Sequence, residues 1–488
     1  MLLLPFRLLL PILLLMCALP LHALPPDPPK VPVPVVRSTP LGEALRAILT
    51  GVRGKSTVVA QVVDLATGEV VLDLDAKKLV HPASVAKLFS TSAVMKTLPA
   101  DKVFHTEVHA SPPKNGTVAT LALIGSGDPT LFASDYAKLA TTIQQKGVTK
   151  IEKLIIDGTI FDDKLPKGFD EKQTDAAFRA PIGGLQCEAG TVHAAVKPGA
   201  VGEPPIVEVG PPAGDAVVVV NQARTVAGKK DALTIVTRPN GRVTEIVVQG
   251  TIAAKKSAIG SGKRRVADAT YFAGWVFHEA LVKRGIAVPP PIFQKAPELS
   301  LLTERLSPKL QEIVSVTNKQ SHNGYAETMF RQVAAGQGQI PVTNEKAEAA
   351  VRKTLETLQI RWNGSVLGNG SGLYHADKVT AQTVTDLLRA MHKDPAGANW
   401  RKTLAIAGVD GTLRGRMHDP QTQGHVQAKT GTLDEVVGLA GYAEMADKTY
   451  VFAVFYNGIQ GGPGPYRGAV DRMVKRLLTP PPPQLPTQ

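Results

Sequence analysis

The 488-residue chain is 43% hydrophobic and 20% charged, which excludes wholesale disorder, and its length calls for two or three domains rather than one small core. A net charge of +13 favours polyanionic surroundings, yet the basic residues are scattered. The densest runs, KKSAIGSGKRR at 255–265 and AGKKD at 227–231, have no interleaved aromatic residues for base stacking, so nucleic acid is not an expected partner.

The chain begins MLLLPFRLLLPILLLMCALPLHA, with one positive charge at Arg7, a long apolar stretch and a small residue at Ala23. This reads as a secretory signal peptide over residues 1–23, which sends the mature chain to an extracytoplasmic, periplasmic compartment. An uncleaved membrane anchor is the alternative; Pro5, Pro11 and Pro20 weigh against a regular spanning helix. No second apolar span follows, so membrane association beyond this segment is expected to be peripheral at most. Cleavage removes Cys17 and leaves Cys187 alone, which excludes an intramolecular disulfide and makes Cys187 a small buried apolar residue. Residues 24–37 form a Pro-rich linker and 479–488 a Pro-rich tail, both expected to lack packed structure.

Residues 40–50 have helical spacing, and 57–76 read as a hairpin turning at ATGE. Helical spacing returns at 84–98. From 101 to 255 the chain runs in short strands broken by Gly and Pro, with one clear helix at 134–147; this is a β-rich insertion, divided near Pro181. Further helices are expected at 270–285, 324–335, 344–358 and 380–392. HVQAKTGT, VVGLAGYAEM and TYVFAVFYNG then form a terminal sheet, with MADK at 445–448 as the turn between the last two, and a helix at 466–477 closes the fold. Helices and strands at the two ends thus flank a β-rich middle.

HPASVAKLFS places Lys87 one helical turn after Ser84, on the same face and among apolar neighbours. A serine hydroxyl needs a base to become a nucleophile, and a lysine can be that base only when burial or a nearby cation keeps it neutral. Ser-x-x-Lys alone is a weak signal. SPPK at 111–114 matches it too, but its prolines forbid the helix. GVRGKST at 51–57 lacks the first glycine of a phosphate-binding loop. His105 and His109 in FHTEVHA can share one face of a strand, but no third ligand is evident, so no metal is expected. Downstream, SHNGYAE sets Ser321 and Asn323 before a helix, and AKTGT sets Lys429, Thr430, Gly431 and Thr432 on the first strand of the terminal sheet. Singly, Ser321 is a helix cap, Lys429 a solvated strand residue and Gly431 a bulge. In order, the three motifs are similar to the set of penicillin-binding proteins and class A β-lactamases.

The interval between the first two motifs is far longer than in class A β-lactamases and must hold folded domains. With GSGDPTL (125–131), IDGTIFDD (156–163), NGSGL (369–373) and AGVDGTLRGRM (407–417), the chain resembles, from about residue 40 to 478, the D-alanyl-D-alanine carboxypeptidase/endopeptidases of the class C, type-4 low-molecular-mass penicillin-binding proteins (DacB-like). The resemblance implies an α/β (α+β) fold: a serine β-lactamase/transpeptidase-like domain, an antiparallel sheet covered by helices, with two nested β-rich inserted domains. Mapped here, 38–89 and 256–478 form the catalytic domain, 90–110 and 181–255 inserted domain II, and 111–180 inserted domain III.

It implies a secreted serine peptidase acting on peptidoglycan stem peptides through an acyl-serine, inhibited covalently by β-lactam antibiotics and needing no cofactor. Ser84 would attack, Lys87 would take its proton, and Ser321, held by Lys429 and Lys87, would relay a proton to the leaving amine. Asn323 would bind the substrate amide and orient Lys87. Lys429 would meet the substrate carboxylate with the hydroxyls of Thr430 and Thr432, and together with burial would keep Lys87 neutral. The amides of Ser84 and Thr432 would form the oxyanion hole, and Gly431 would let substrate backbone approach. The competing readings are a serine β-lactamase and a catalytically weak wall-binding protein on the same fold. Three positions depart from the family pattern: His322 replaces Asp or Asn, which points to a changed pH profile. Gln173 and His375 replace an acidic residue and an arginine of a side-chain pocket, for which Asp170, Glu171 or Asp175 are possible substitutes. The preferred third-position amino acid and the oligomeric state are not legible in the sequence.

Overall fold

The computed structural model describes residues 39–228, 231–445 and 448–479. The signal peptide, the linker, the tail from 480 onward and the middle of the MADK turn lie outside the described residues. Among the described residues no helix is long and apolar enough to cross a membrane.

The strands Val426–Leu433, Val436–Met445 and Lys448–Asn457 form an antiparallel meander. The N-terminal strand Thr57–Asp64 joins its last member, with Thr57 opposite Asn457, and Val70–Leu74 continues the hairpin; Ala405–Ile406 completes the far edge of this six-stranded sheet. Successive residues point to opposite faces, and here both faces are covered. Val62, Leu439 and Phe452 pack with Leu45, Leu49 and Met473 of the terminal helices Pro40–Thr50 and Gly464–Leu478. Their neighbours Val63, Ala440 and Ala453 pack with Leu88, Phe89 and Leu387 of the helices Lys87–Thr97 and Ala381–Lys393. Burial on both sides explains why Val436–Met445 reads as an unbroken apolar run rather than an alternating one.

The insertion is built around a second, five-stranded mixed sheet, ordered Ile292–Phe293, Leu154–Asp157, Leu121–Ile124, His105–Ala110, Ser300–Leu306. Leu121–Ile124 and Leu154–Asp157 are parallel, joined across the helix Ala133–Gln145 as parallel strands require. The helix Ala269–Lys283 packs against that helix, and one buried cluster runs from Val108 to Ile286, including Val192, Ile235 and Ile252 of the intervening strands. Three of the expected boundaries therefore move, the first because a break at 89/90 would cut the helix Lys87–Thr97. The break at 110/111 would cut a sheet, because His105–Ala110 pairs with Leu121–Ile124. The catalytic segment cannot resume at 256, because Ser300–Leu306 pairs with His105–Ala110.

The helix Leu310–Lys319 has no counterpart in the sequence reading. Ile313, Val314, Val316 and Thr317 are β-branched and lower its propensity, while its buried face (Leu310, Ile313, Val314, Thr317) has helical spacing.

Candidate active site

Ser84 sits in the 3-10 turn Ala83–Ala86, which runs into the helix Lys87–Thr97. The turn is strained: Ala83 has φ of 45°, a left-handed conformation costly for a residue with a Cβ. His81 braces it. Its Nδ1 accepts from the Ala83 amide at 3.0 Å, so the opposite nitrogen donates to the Tyr374 carbonyl at 3.0 Å. Burial holds its pKa below the usual value, which keeps the imidazole neutral as this pairing requires. The Cβ direction of Gly372 points at the Ala83 carbonyl, 2.0 Å away, so only glycine fits against the turn there.

Lys87 is fully buried, and its ammonium uses all three donors: Ser84 Oγ at 2.9 Å, Asn323 Oδ1 at 2.8 Å and the Ser371 carbonyl at 2.8 Å. Burial pulls its pKa down to about 7, against the opposing pull of Glu327. Near neutrality the amine is thus poised between the protonated form and a free base hydrogen-bonded to Ser84. Ser321 lies between the helices Leu310–Lys319 and Asn323–Gly336, with φ of 59°. Lys429, also fully buried, donates to Ser321 Oγ at 2.9 Å and to the Thr430 carbonyl at 2.9 Å. Ser84, Ser321, Thr430 and Thr432 line one cleft of about 330 Å³ with Thr412, Arg416 and Arg467.

Several expected details change. Lys87 spends its hydrogens on Ser84, Asn323 and Ser371, so among the described residues Ser321 is tied to Lys429 alone. Burial, not Lys429, is the leading cause of the depressed Lys87 pKa; Lys429 is itself driven well below its usual value by burial and then by the charge of Lys87. Lys429 is too enclosed to greet a carboxylate, and the cleft's more accessible cations are Arg416 and Arg467. Arg467 donates to Thr432 Oγ1 at 3.1 Å, and Arg416 is held by Asp471 at 2.6 Å. Thr430 Oγ1 donates to Thr412 Oγ1 at 2.8 Å.

Gly431 does not face the substrate side. A Cβ there would lie 2.8 Å from the Pro82 carbonyl and 3.2 Å from Val85 Cγ2, so its bareness lets the Ser84 turn dock on the strand. Gly431→Ala should therefore displace Ser84 and slow acylation by about 10²-fold, the scale of a 1 Å misplacement. Stopped-flow acylation by a chromogenic penicillin measures it, and a wild-type rate would contradict this packing role.

His322 fills the helix N-cap position usually given to Asp or Asn: its Nδ1 accepts from the Tyr325 amide at 3.3 Å. Burial, then the charge of Lys87, pushes its pKa down to about 4, so it does not titrate near neutrality and the expected change in pH profile does not arise from it there. At the expected side-chain pocket, the His375 ring and backbone amide both engage Glu171, while Gln173 and Asp170 are exposed. Asp175 is committed to Arg264 at 3.0 Å and to the Thr237 amide at 3.0 Å.

The family model of the D-Ala-D-Ala carboxypeptidase 3 (S13) family matches residues 41–477. The chain belongs to that family. It is 33% identical over 474 residues to the D-alanyl-D-alanine carboxypeptidase of Actinomadura sp. (strain R39), covering 92% of this chain and 86% of the relative. In structure it is similar to penicillin binding protein 4 (dacB) from Haemophilus influenzae, with a TM-score of 0.77 at 23% identity over 89% of this chain and 98% of the other. The same Haemophilus protein complexed with a β-lactam gives a TM-score of 0.73, also at 23% identity, covering 89% of this chain and 99% of that one. The fold is the mixed α+β fold of that protein, and the chain is a serine-type carboxypeptidase of the S13 family.

Glu327 is a neighbour of this cluster that sequence motifs do not single out, although SHNGYAE contains it. It lies one helical turn after Asn323, is buried, and accepts from the Gly370 amide at 3.0 Å and the Ser371 amide at 2.9 Å. It thereby holds the loop whose Ser371 carbonyl receives Lys87. Because Glu327 raises the Lys87 pKa, Glu327→Gln should let Lys87 become neutral at lower pH. The acid limb of the kcat/KM profile should shift toward acid, and an unmoved limb would show that Glu327 carries no charge felt by Lys87.

Proposed function

We propose that the chain removes the terminal D-alanine from peptidoglycan stem peptides, and cuts D-alanyl cross-bridges, outside the cytoplasm. Neutral Lys87 takes the Ser84 proton as Oγ attacks the carbonyl of the penultimate D-alanine. The oxyanion rests on the amides of Ser84 and Thr432. Collapse breaks the peptide bond, and the leaving amine takes the Ser321 hydroxyl proton, which Lys429 replaces. Arg416 and Arg467, with Thr430 and Thr432, receive the terminal carboxylate, a role for which guanidinium groups suit better than a buried amine. Water then gives a proton to Lys429 through Ser321 as it attacks the acyl-serine, and Lys87 returns its proton to Ser84 Oγ. A β-lactam acylates the same oxygen.

The observation that carries this reading is the pairing of two buried amines with two hydroxyls, Lys87 with Ser84 and Lys429 with Ser321, at one cleft. The β-lactamase reading needs a base for rapid deacylation, and no carboxylate is among the described residues lining the cleft. The catalytic part on this reading combines the residues up to the helix Lys87–Thr97 with those from the helix Leu310–Lys319 onward; the rest is insertion. The test is D-alanine release from a pentapeptide ending in D-Ala-D-Ala, alongside labelling by a fluorescent penicillin and mapping of the adduct. Label on Ser84 that persists for minutes supports the peptidase; rapid loss of label favours the lactamase, and no label refutes both.

A further inference from the structure

His105, Glu107 and His109 occupy alternate positions on the strand His105–Ala110 and so share one face. The paired strand Ser300–Leu306 sets Glu304 directly opposite Glu107. Sequence alone offers two histidines without a third ligand; strand pairing brings a carboxylate from a distant segment. Ligand atoms of His105, Glu107 and Glu304 all lie within 4.8 Å of one another. His105 Nδ1 is 2.7 Å from Glu304 Oε2, and His109 Nε2 is 2.7 Å from Glu107 Oε2.

Two further features mark this cluster. Like charges directly opposite each other on paired strands repel, yet among the described residues neither Glu107 nor Glu304 is ion-paired to a lysine or arginine, in a chain of net charge +13. The second is outside the cluster: His109 Nδ1 lies 2.8 Å from the Leu299 carbonyl and must donate to it. That bond places a hydrogen on Nδ1 and aims Nε2 at the Glu107 carboxylate, the backbone-anchored arrangement typical of metal-ligating histidines.

We propose that His105, Glu107, His109 and Glu304 form a site for one divalent first-row transition cation, with Zn²⁺ as its representative. Two imidazole nitrogens with two carboxylates suit such an ion, whereas Ca²⁺ and Mg²⁺ prefer oxygen alone. Ligand bonds near 2.1 Å put tetrahedral ligands about 3.4 Å apart, so side-chain rotation alone has to open the two short contacts and draw the wider ones in. Side chains 20–41% exposed leave the site open to solvent.

The site is remote from the chemistry. His105 and Glu107 line a cleft with Leu98 and Gly336, beyond the C-terminal ends of the helices that carry Lys87 and Asn323 at their N-terminal ends. Its place in the fold suggests a clamp. Past Phe104 the chain leaves for the insertion on one of these strands, and it returns on the other to Ser307; the Phe104 amide donates to Ser307 Oγ at 2.8 Å, and the Ser307 amide to the Phe104 carbonyl at 2.9 Å. A bound cation would cross-link the outgoing and returning strands just above that point.

The test uses the untagged full chain, stripped with a chelator and titrated with Zn²⁺ in a calorimeter. The wild type should bind one equivalent, and its unfolding midpoint should rise by a few degrees. Glu304→Gln, a near-isosteric change at a partly exposed position, should weaken binding at least about tenfold, and the double variant His105→Ala/His109→Ala should abolish both binding and the midpoint rise. Metal-free midpoints close to wild type verify that the variants fold. Absence of stoichiometric binding at micromolar Zn²⁺, or variants that keep wild-type affinity and midpoint rise, would overturn the proposal.

Discussion

Ser84→Ala is expected to lower D-alanine release by at least about 10³-fold and to abolish penicillin labelling, because the covalent route disappears while binding groups remain. The folded state should change little. The removed hydroxyl occupies one donor of Lys87, whose other two donors stay on Asn323 and the Ser371 carbonyl. Thermal unfolding monitored beside the assay separates the outcomes. Retained turnover in a well-folded variant would sink the nucleophile assignment, and equal activity of wild type and variant would favour a wall-binding role instead.

Lys87→Arg should be nearly as damaging, about 10²–10⁴-fold, for a different reason. A guanidinium cannot give up its proton in a protein, so it can fill the space but not act as base. In the wild type burial sets the Lys87 pKa at about 7. The neutral, active form gains population as pH rises through that value. The acylation rate should therefore climb about tenfold per pH unit below the midpoint and level off above it. The arginine variant should show a low rate without that limb. A wild-type rate that does not change between pH 5 and 8 would exclude Lys87 as the base.

Ser84, Lys87, Ser321, Asn323 and Lys429 were legible because each stands in a short local motif at the start of a helix or on a strand, and local spacing survives in sequence. Their grouping on two separate amines was not. Lys87 reaches Ser371 and Asn323 through tertiary packing, and the competition for its three hydrogens, which excludes Ser321, appears only in three dimensions. Gly431 meets the Pro82 carbonyl and not the expected substrate for the same reason: a strand glycine advertises close approach, but not of what. The six-stranded sheet was readable from its apolar runs. The insertion's borders were not, because short strands such as Ile292–Phe293 carry too few residues to show a period, and Ser300–Leu306 pairs with a strand nearly two hundred residues upstream. The same pairing hid Glu304 from His105.

The hairpin that precedes Ser84 pairs through Thr57–Asp64 with Lys448–Asn457, several hundred residues downstream. The reactive centre therefore cannot be assembled from either part of the sequence alone. The insertion has a buried cluster of its own, while the Ser84 turn packs on the strand that carries Lys429. Reactivity therefore arrives as a single event, once both parts are in place.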